Sequence, residues 1–318
     1  MVSPTDHWLL ATNHWTMATE RELNKRIKSV KNISQVTSAL AAVSASKASR
    51  AQRQAEATRH YARKAFEIIQ NLAAQPGASA TTHPLMTARE NVKNVGLILM
   101  TSDRGLAGSY NVAMTTLAER FLRAAGRPVK VITVGRRGRD AMVRRGFNVV
   151  ATFDRVPDPP SFLDITAIAR VAIDSMLSED VDQVFIGYSE FVNLVTRQPV
   201  IRQLLPLKPA DLSGMPGAEY VSGVDSVKAS QQAYTYEPNA EALLNDIVPR
   251  FTRLQVYQSL LEAFASEHSA RMVAMNNATD NAIELVDFLT LERNKARQAS
   301  ITSEILDIVG GAEALKTV

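Results

Sequence analysis

The sequence predicts an α/β protein in which two long terminal helices form an antiparallel coiled coil around a mixed α/β head with a largely parallel central sheet. Residues 18–75 and 250–309 contain neither Gly nor Pro. At about 1.5 Å per residue each would form a helix of roughly 85–90 Å, whereas an ordinary globular helix has about 11–12 residues. Between them, short apolar runs alternate with helical segments, which is typical of a parallel sheet flanked by helices. A rod with a head points to a mechanical part rather than a pocket enzyme.

The chain divides by composition into four expected segments. They are a disordered extension at 1–17, an N-terminal coiled-coil helix at 18–75, an α/β head at 76–238 and a C-terminal coiled-coil helix at 239–318. The first 16 residues lack a basic region before their short apolar patch, so they make a poor signal peptide. The helical pattern begins at Met17, so either this is the natural start or the residues before it are the extension.

The first long helix shows a narrow apolar seam at spacings of three and four residues, which favours a coiled coil. The seam is expected at Leu23, Ile27, Val30, Ile33, Val36, Leu40 and Val43. Residues 39–57 are then rich in Ala and Ser, and such small side chains allow helices to approach closely. The segment 18–75 also carries 11 Lys and Arg against four Glu, a net charge of +7. The charge indicates either an acidic protein partner or nucleic acid.

The middle of the chain alternates between strand and helix patterns. Strands are predicted at 95–101, 129–134, 148–152, 181–188 and 196–205, and helices at 109–125, 136–145 and 162–177. A polar excursion follows at 206–232, then a short edge strand at 234–236 and an N-cap at Asn239. In the final helix, Pro249 is expected to kink or restart the regular run, and Gly310 and Gly311 to end it.

The turn SDRGLAGSYN at 102–111 is the one segment whose context suits phosphate binding, because it follows a strand and precedes a helix. It has neither the G-x-G-x-x-G spacing nor a P-loop Lys-Ser/Thr. It is therefore predicted to be a tight turn around Gly105 and Gly108, with Asp103 and Ser109 as local caps. No cofactor is expected.

Metal and nucleophile chemistry find no support in the sequence. The five histidines form no H-x-x-x-H pair, and His60 and His268 are expected to be exposed or packing residues. Asp154 and Asp158 lie in a Pro-rich loop that predicts solvated turn residues. The absence of Cys excludes a disulfide framework and a thiolate zinc site. No apolar run reaches the roughly 20 residues of a membrane span, so no direct membrane insertion is expected.

Two basic clusters remain to be explained. Lys25, Arg26, Lys28 and Lys31 lie near the start of the first helix, and Lys295, Arg297 and Gln298 lie late in the last helix. If the helices are antiparallel, both clusters lie near the same end of the rod. A nucleic-acid site predicts interleaved aromatic residues, and the first helix has none near its cluster. An acidic protein surface is therefore the favoured partner.

Four blocks of this sequence resemble the gamma subunit of F-type ATP synthases. They are RIKSVKNISQVTSALAAVSASK at 26–47, SDRGLAGSYN at 102–111, SEHSARMVAMNNATDNA at 266–282 and NKARQASITSEILDIVGGAEAL at 294–315. The resemblance covers residues 17–315. It implies a rotating, non-catalytic central stalk inside a ring of three alpha and three beta subunits, with the epsilon subunit and the membrane c-ring at its foot. Catalytic sites would belong to the beta subunits, and the chain would be a peripheral protein on the cytoplasmic face of the plasma membrane.

The resemblance also implies roles for particular residues. Arg297 and Gln298 match the family's Arg-Gln pair that hydrogen-bonds acidic loops of a beta subunit, and Arg26, Lys28 and Lys31 match its basic N-terminal face. Two positions depart from the family within the same expected contact set. Lys295 stands where Arg is usual, which keeps the charge but loses a bidentate fork. Leu40 stands where Met is usual.

One alternative of a different class stays open on the residues alone. An α/β nucleotide-binding protein with helical arms would share the predicted fold. The missing phosphate-loop residues argue against it, and saturable nucleotide binding to the head would favour it.

Overall fold

The computed structural model describes residues 19–73, 83–207 and 240–316 and divides the chain into two compact units. We call Leu40–Met275 the sheet unit, and Met1–Ala39 with Asn276–Val318 the helix-pair unit. Several predictions fall outside the described residues: the extension at 1–17, most of the polar excursion, the edge strand at 234–236 and the cap at Asn239.

Five strands and five helices make up the described part of the chain. The helices are α1 (Glu20–Ala73), α2 (Tyr110–Ala124), α3 (Arg136–Arg144), α4 (Phe162–Leu177) and α5 (Ala240–Lys316). The strands are β1 (Val95–Met100), β2 (Val129–Val134), β3 (Val149–Phe153), β4 (Gln183–Phe191) and β5 (Arg197–Leu205). All five strands predicted in the middle of the chain are confirmed, as are its three helices. The predicted fold class is confirmed with them.

The ends of the two long helices follow different rules. At the start of α1, Thr19 and Glu22 each accept a hydrogen bond from the other's backbone N–H, which is a capping box. The prediction that Gly310 ends the last helix is wrong, because α5 continues to Lys316. A helical Gly costs only about 1 kcal/mol relative to Ala. Nor does α5 restart at Pro249, which lies inside the helix.

The sheet has the order β3-β2-β1-β4-β5, with β5 antiparallel to β4 and the other neighbours parallel. Alternate side chains of β1 point to opposite faces. Leu97 and Leu99 pack with α2 and α3, whereas Ile98 and Met100 pack in the cluster formed with α1, α4 and α5. The sheet unit is therefore a central sheet between two helical layers. In the second layer, residues 254–270 of α5 are all buried, as expected of a helix enclosed on every side.

In the helix-pair unit, α1 and α5 run antiparallel. Leu23 and Ile27 pack against Leu289, and the hydroxyls of Thr37 and Thr279 are 2.7 Å apart. As the α1 number rises, the number of the α5 partner falls. These contacts establish the expected coiled-coil pairing for this unit.

The predicted seam of α1 is correct only at its beginning. Ile33, Val36 and Val43 are 53%, 59% and 54% exposed, so these positions were predicted wrongly. Three successive steps of three residues, from 27 to 36, rotate a stripe by about 180° around a helix of 3.6 residues per turn. The buried line instead continues through small or polar side chains, which are Thr37, Ala41, Ser44, Ala48, Ala51 and Ala55.

Asp182 connects the start of β4 to the segment that precedes β1. Its carboxylate accepts hydrogen bonds from the N–H groups of Lys93 (2.6 Å) and Asn94 (2.9 Å) and from the guanidinium of Arg89 (2.8 Å). The Asn94 N–H is the main cause that lowers the pKa of Asp182 to about 2, with Arg89 and Lys93 adding to it against the effect of burial. The folded state therefore prefers the ionised carboxylate.

We expect Asp182→Asn to destabilise the chain by about 2 kcal/mol at pH 7, because hydrogen bonds to a charged group are lost. A lowered folded-state pKa stabilises above the ordinary value of 3.8 and ceases to do so as the pH falls through about 2. Denaturant unfolding between pH 7 and pH 3 should show the gap between wild type and variant narrowing in acid. Asp180→Asn is the control, because Asp180 is 61% exposed and, in the described part of the chain, pairs with Lys130. A gap that stays constant with pH would contradict the assignment.

Candidate functional site

The expected partner-contact residues of the helix-pair unit are exposed. Lys295, Arg297 and Gln298 lie on α5, and Arg26, Lys28 and Lys31 lie on α1. Arg293 Nη1 lies 3.5 Å from Asn24 Oδ1, so the two basic clusters occupy the same level of the helix pair. Lys295 is paired with Glu292 on its own helix at 3.0 Å. Within the described ranges, the Arg297 side chain makes no hydrogen bond or ion pair.

Leu40, the remaining expected contact residue, belongs to the sheet unit. It is half-buried and lies beside the exposed Val43 at the edge of a cavity of about 560 Å³. The same cavity reaches the carboxyl ends of β1 and β2. In open α/β sheets this edge is where ligands bind, at the point where the strand order reverses. The residues at this edge therefore decide whether the sheet unit can hold a nucleotide.

The first amide groups of α3 are already occupied by residues that follow β1. The N–H groups of Arg136 and Gly138 donate to Asp103 Oδ1 (3.0 Å) and Thr101 Oγ1 (2.8 Å). Asp103 Oδ2 also accepts from the N–H of Arg155 at 2.9 Å. Free amides at a helix N-terminus are what bind phosphate. Here a carboxylate of the chain itself takes that place.

The turn after β1 is a structural element, as predicted, although its caps differ from the prediction. Ser102 N–H donates to Asn111 Oδ1 at 3.0 Å, which closes the turn on the first residues of α2. Ser109 stands at the N-cap position of α2 but its side chain makes no capping hydrogen bond, so that prediction is wrong. Asp103 does cap a helix, but the helix is α3, from 33 positions away in sequence.

Helix α5 fills the crevice at the reversal point between β1 and β4. The Tyr110 hydroxyl donates to the carbonyl of Ala263 at 3.2 Å, and Ser266 Oγ donates to the carbonyl of Ser189, at the end of β4, at 2.9 Å. Arg271 donates to the carbonyl of Gly105 at 3.3 Å. Burial and the neighbouring Glu267 raise the pKa of Tyr110, so the phenol stays a neutral donor. At this point the chain's own helix occupies the crevice, and the cavity of about 560 Å³ reaches the ends of β1 and β2 but not β4.

Asp158 forms the centre of an ionic cluster beside the cavity, which corrects the prediction that it is a solvated turn residue. Its Oδ2 lies 2.8 Å from Lys47 Nζ and 2.8 Å from His268 Nε2. Partial burial acts to raise the pKa of Asp158, but the hydrogen bonds from His268 and Lys47 outweigh it and lower the pKa to about 2. Asp154 was also predicted to be a solvated turn residue, and it forms an ion pair with Arg139 at 2.7 Å.

The histidine of this cluster is a packing residue, one of the two roles expected for it. The His268 side chain is 8% exposed, whereas the side chain of His60 is not among those described. Arg271 Nη1 lies 3.3 Å from His268 Nδ1, and Arg271 pairs with Glu267 at 2.7 Å. The block SEHSARMVAMNNATDNA at 266–282 contains His268 and Arg271, but nothing local in it indicated partners in a loop more than a hundred residues away.

The described part of the chain was predicted to hold neither a metal ion nor a membrane span. Among the residues that the structure describes, no three or more His, Asp or Glu side chains come together in a way that could hold a metal ion. Of the described helices, none combines the length and apolar character that crossing a membrane requires.

Comparison with known proteins places these features in context. The family described as ATP synthase matches residues 19–315. A relative from Chloroflexus aurantiacus, called ATP synthase gamma chain, is 45% identical over 302 residues, which cover 94% of this chain and 99% of the relative. The protein of the same name from Dehalococcoides mccartyi is 42% identical over 299 residues, covering 94% of this chain and 100% of its own.

Solved structures with a similar fold agree with these relatives. A chain in the central stalk and c-ring structure of the Tetrahymena thermophila mitochondrial ATP synthase has a TM-score of 0.56 at 25% identity, covering 76% of this chain and 99% of its own. A chain of the Euglena gracilis mitochondrial ATP synthase has a TM-score of 0.61 at 18% identity, covering 93% and 94%. At that identity the second likeness concerns the fold alone.

Proposed function

This chain belongs to the ATP synthase gamma chain family and is the central-stalk, rotor subunit of an F-type ATP synthase, and from this premise we propose that its role is purely mechanical and that it has no catalytic site of its own. The supporting observation is the occupied carboxyl edge of the sheet. Asp103 accepts a hydrogen bond from the first backbone N–H of α3, and α5 occupies the crevice between β1 and β4. A nucleotide-binding protein with helical arms would need both places free.

The partners that we propose are the alpha and beta subunits as a surrounding ring, the epsilon subunit and the c-ring. Rotation couples ion flow through the membrane sector to ATP synthesis or hydrolysis at the beta subunits. A shaft can bias the conformation of the surrounding sites only if it contacts them differently. The two helices supply such a difference, because α1 exposes Arg26, Lys28 and Lys31, whereas α5 exposes Lys295, Arg297 and Gln298.

The contact residues that the family resemblance implies are exposed on the helix pair, apart from the half-buried Leu40. We assign beta-subunit contacts to Arg297, Gln298 and Lys295 on α5, to Arg26, Lys28 and Lys31 on α1, and to Leu40 at the edge of the cavity. Arg297 supports this assignment most directly, because its guanidinium is exposed and its donors are unused by the described part of this chain. An acidic loop can accept two parallel hydrogen bonds from such a group.

The complex is membrane-associated, and we propose that the chain itself is peripheral, held on the cytoplasmic face of the plasma membrane by its partners. Purification of the tagged chain from its own cells tests the function. We expect alpha and beta subunits to co-purify with it, and the chain freed from them to hydrolyse no ATP. A stable complex that lacks both subunits, or saturable ATP binding by the free chain, would contradict the proposal.

A further inference from the structure

The packing of α1 within the sheet unit leaves its axial position weakly defined along much of its length. Its buried positions from the start of the unit are occupied by small side chains, which are Ala41, Ser44, Ala48, Ala51, Ala55 and Ala62. Ala41, Ala48 and Ala55 repeat at intervals of seven residues, the interval after which a coiled-coil seam repeats. A shift by one such interval places Ala on Ala, so apolar packing in this stretch distinguishes poorly between registers.

Large apolar side chains hold only the far end of this stretch. Phe66, Ile69 and Leu72 are buried in the main core, and the Phe66 ring lies 6.2 Å from that of Phe251 on α5. At the near end, Leu40 and Val43 line the cavity, and Val43 is 54% exposed. The near end therefore needs another kind of contact to fix it.

Asp158 supplies that contact for both long helices at a single oxygen atom. Lys47 reaches Oδ2 from α1 and His268 reaches it from α5, each at 2.8 Å, while Asp158 itself lies in the loop between β3 and α4. The side chains of Asp158 and His268 are 22% and 8% exposed, so water weakens their contact less than it weakens a surface pair. The Lys47 side chain is 43% exposed, so its contact with Asp158 is the weaker of the two. A polar contact inside an otherwise uniform seam is a known means of specifying register.

The orientation of the histidine is fixed by its other neighbour. An Arg side chain can only donate hydrogen bonds, so Arg271 at 3.3 Å makes His268 Nδ1 an acceptor. The ring hydrogen then lies on Nε2 and points to Asp158. Arg271 is held in turn by Glu267 and by the carbonyl of Gly105, in the turn after β1. The cluster therefore connects α1 and α5 to two separate loops of the sheet unit.

We propose that Asp158 is a positioning residue that fixes the register of α1 and α5 against the sheet, so that the rotor transmits torque without slip between its long helices and its sheet. This inference deepens the proposed rotor function and depends on it. Torque on a rotor loads the contacts between these helices and the sheet. A seam of small side chains interlocks weakly, so it offers little resistance to that load. Asp158 resists that load because one of its carboxylate oxygens contacts a side chain from each of the two helices.

The test uses the full chain assembled in the complete synthase and reconstituted in lipid vesicles, with ATP hydrolysis and ATP-driven ion pumping measured in parallel. We expect Asp158→Asn to retain ATP hydrolysis but to reduce ion pumping, so that the number of ions moved per ATP falls. Asp154→Asn is the matched control, because it lies in the same loop and pairs with Arg139 on α3 rather than with a long helix. Its ratio of ions to ATP should equal that of the wild type.

Lys47→Met provides a second variant if Asp158→Asn does not assemble, because it removes only the α1 contact and leaves the His268 hydrogen bond in place. Its pumping ratio should fall in the same direction. An unchanged ratio in the assembled Asp158 and Lys47 variants, or an equal fall in the Asp154 control, would overturn the proposal. A wild-type complex that hydrolyses ATP without pumping would instead refute the rotor function itself, so the two failures are distinguishable.

Discussion

Replacing Gly135 with Ala is expected to remove most of the stability of the sheet unit. Gly135 lies between β2 and α3 with φ of 91°, and a Cβ added there would lie 2.2 Å from the carbonyl oxygen of Thr101 and 2.8 Å from its carbon. Both are backbone atoms of the residue that follows β1, whose N–H donates to the carbonyl of Val134, so a shift of Thr101 would strain the pairing with β2. Losses above about 4 kcal/mol are exceptional for a single substitution and arise from backbone conflicts of this kind.

Gly146→Ala is the matched control for this experiment. Gly146 also has a positive φ, of 76°, but nothing lies within 4 Å of an added Cβ. The control measures the conformational cost alone, which is about 1–2 kcal/mol. Denaturant unfolding of the two full-length variants should therefore differ by several kcal/mol, with Gly135→Ala failing to fold if the total stability is near the lower end of the usual range. Equal losses would mean that β1 and α3 do not approach as described.

Replacing Arg297 with Ala is expected to lower ATP hydrolysis by the assembled complex by at least about tenfold. Truncating one side of a hydrogen-bonded charge pair in an interface costs about 2 kcal/mol or more, since the other charge is left without its partner. The stability of the isolated chain should not change, because Arg297 is exposed and its side chain makes no hydrogen bond or ion pair within the described residues. The effect is thus predicted to appear only in the presence of partner subunits.

Arg250→Ala serves as the control, because Arg250 is also an exposed arginine of α5 and, among the described residues, pairs with Asp246 on the same helix. Steady-state hydrolysis and thermal unfolding would be measured on both variants. We expect the control to retain wild-type hydrolysis and Arg297→Lys to recover part of it, since Lys keeps the charge but loses the fork. A matching loss of stability in isolated Arg297→Ala would assign the residue to folding instead.

The sheet unit was predictable because its elements have strong local signals. β1 is a continuous apolar run, VGLILM, and all six of its residues are buried. α4 occupies the predicted 162–177, with Ser161 and Asp164 forming a capping box at its start. A short continuous apolar run bounded by turns is consistent with a buried parallel strand, and its length distinguishes it from a helix. Such signals require no knowledge of distant contacts.

The buried line of α1 was not predictable from apolar residues, because small side chains carry it. The seam was predicted to include Ile33 and Val36, yet both side chains are more than half exposed, whereas Thr37 and Ala41 are buried. The periodicity of large apolar side chains therefore does not mark the face that α1 buries within this chain. In a subunit of a larger complex, hydrophobic periodicity reports the faces buried in the complex as well as those buried in the chain.

The ionic cluster at Asp158 had no local signal either. Lys47 and His268 lie 111 and 110 positions from Asp158 in sequence, and a DRVPDPP loop ordinarily indicates a solvated turn. The exposed contact residues were the reverse case. Periodicity and charge drew attention to the basic clusters, but only the resemblance to the family singled out Arg297 and Gln298.

The most direct test of the central claim is to observe rotation of this chain inside its ring. Because the sequence contains no Cys, a single Arg170→Cys substitution on α4, at a side chain that is 76% exposed, gives a unique attachment point for an optical label. With the alpha and beta subunits immobilised, we predict ATP-dependent rotation of the label in one direction, abolished when ATP is withheld. Steady ATP hydrolysis by the same complexes with a label that stays fixed would contradict the assignment of this chain as the rotor.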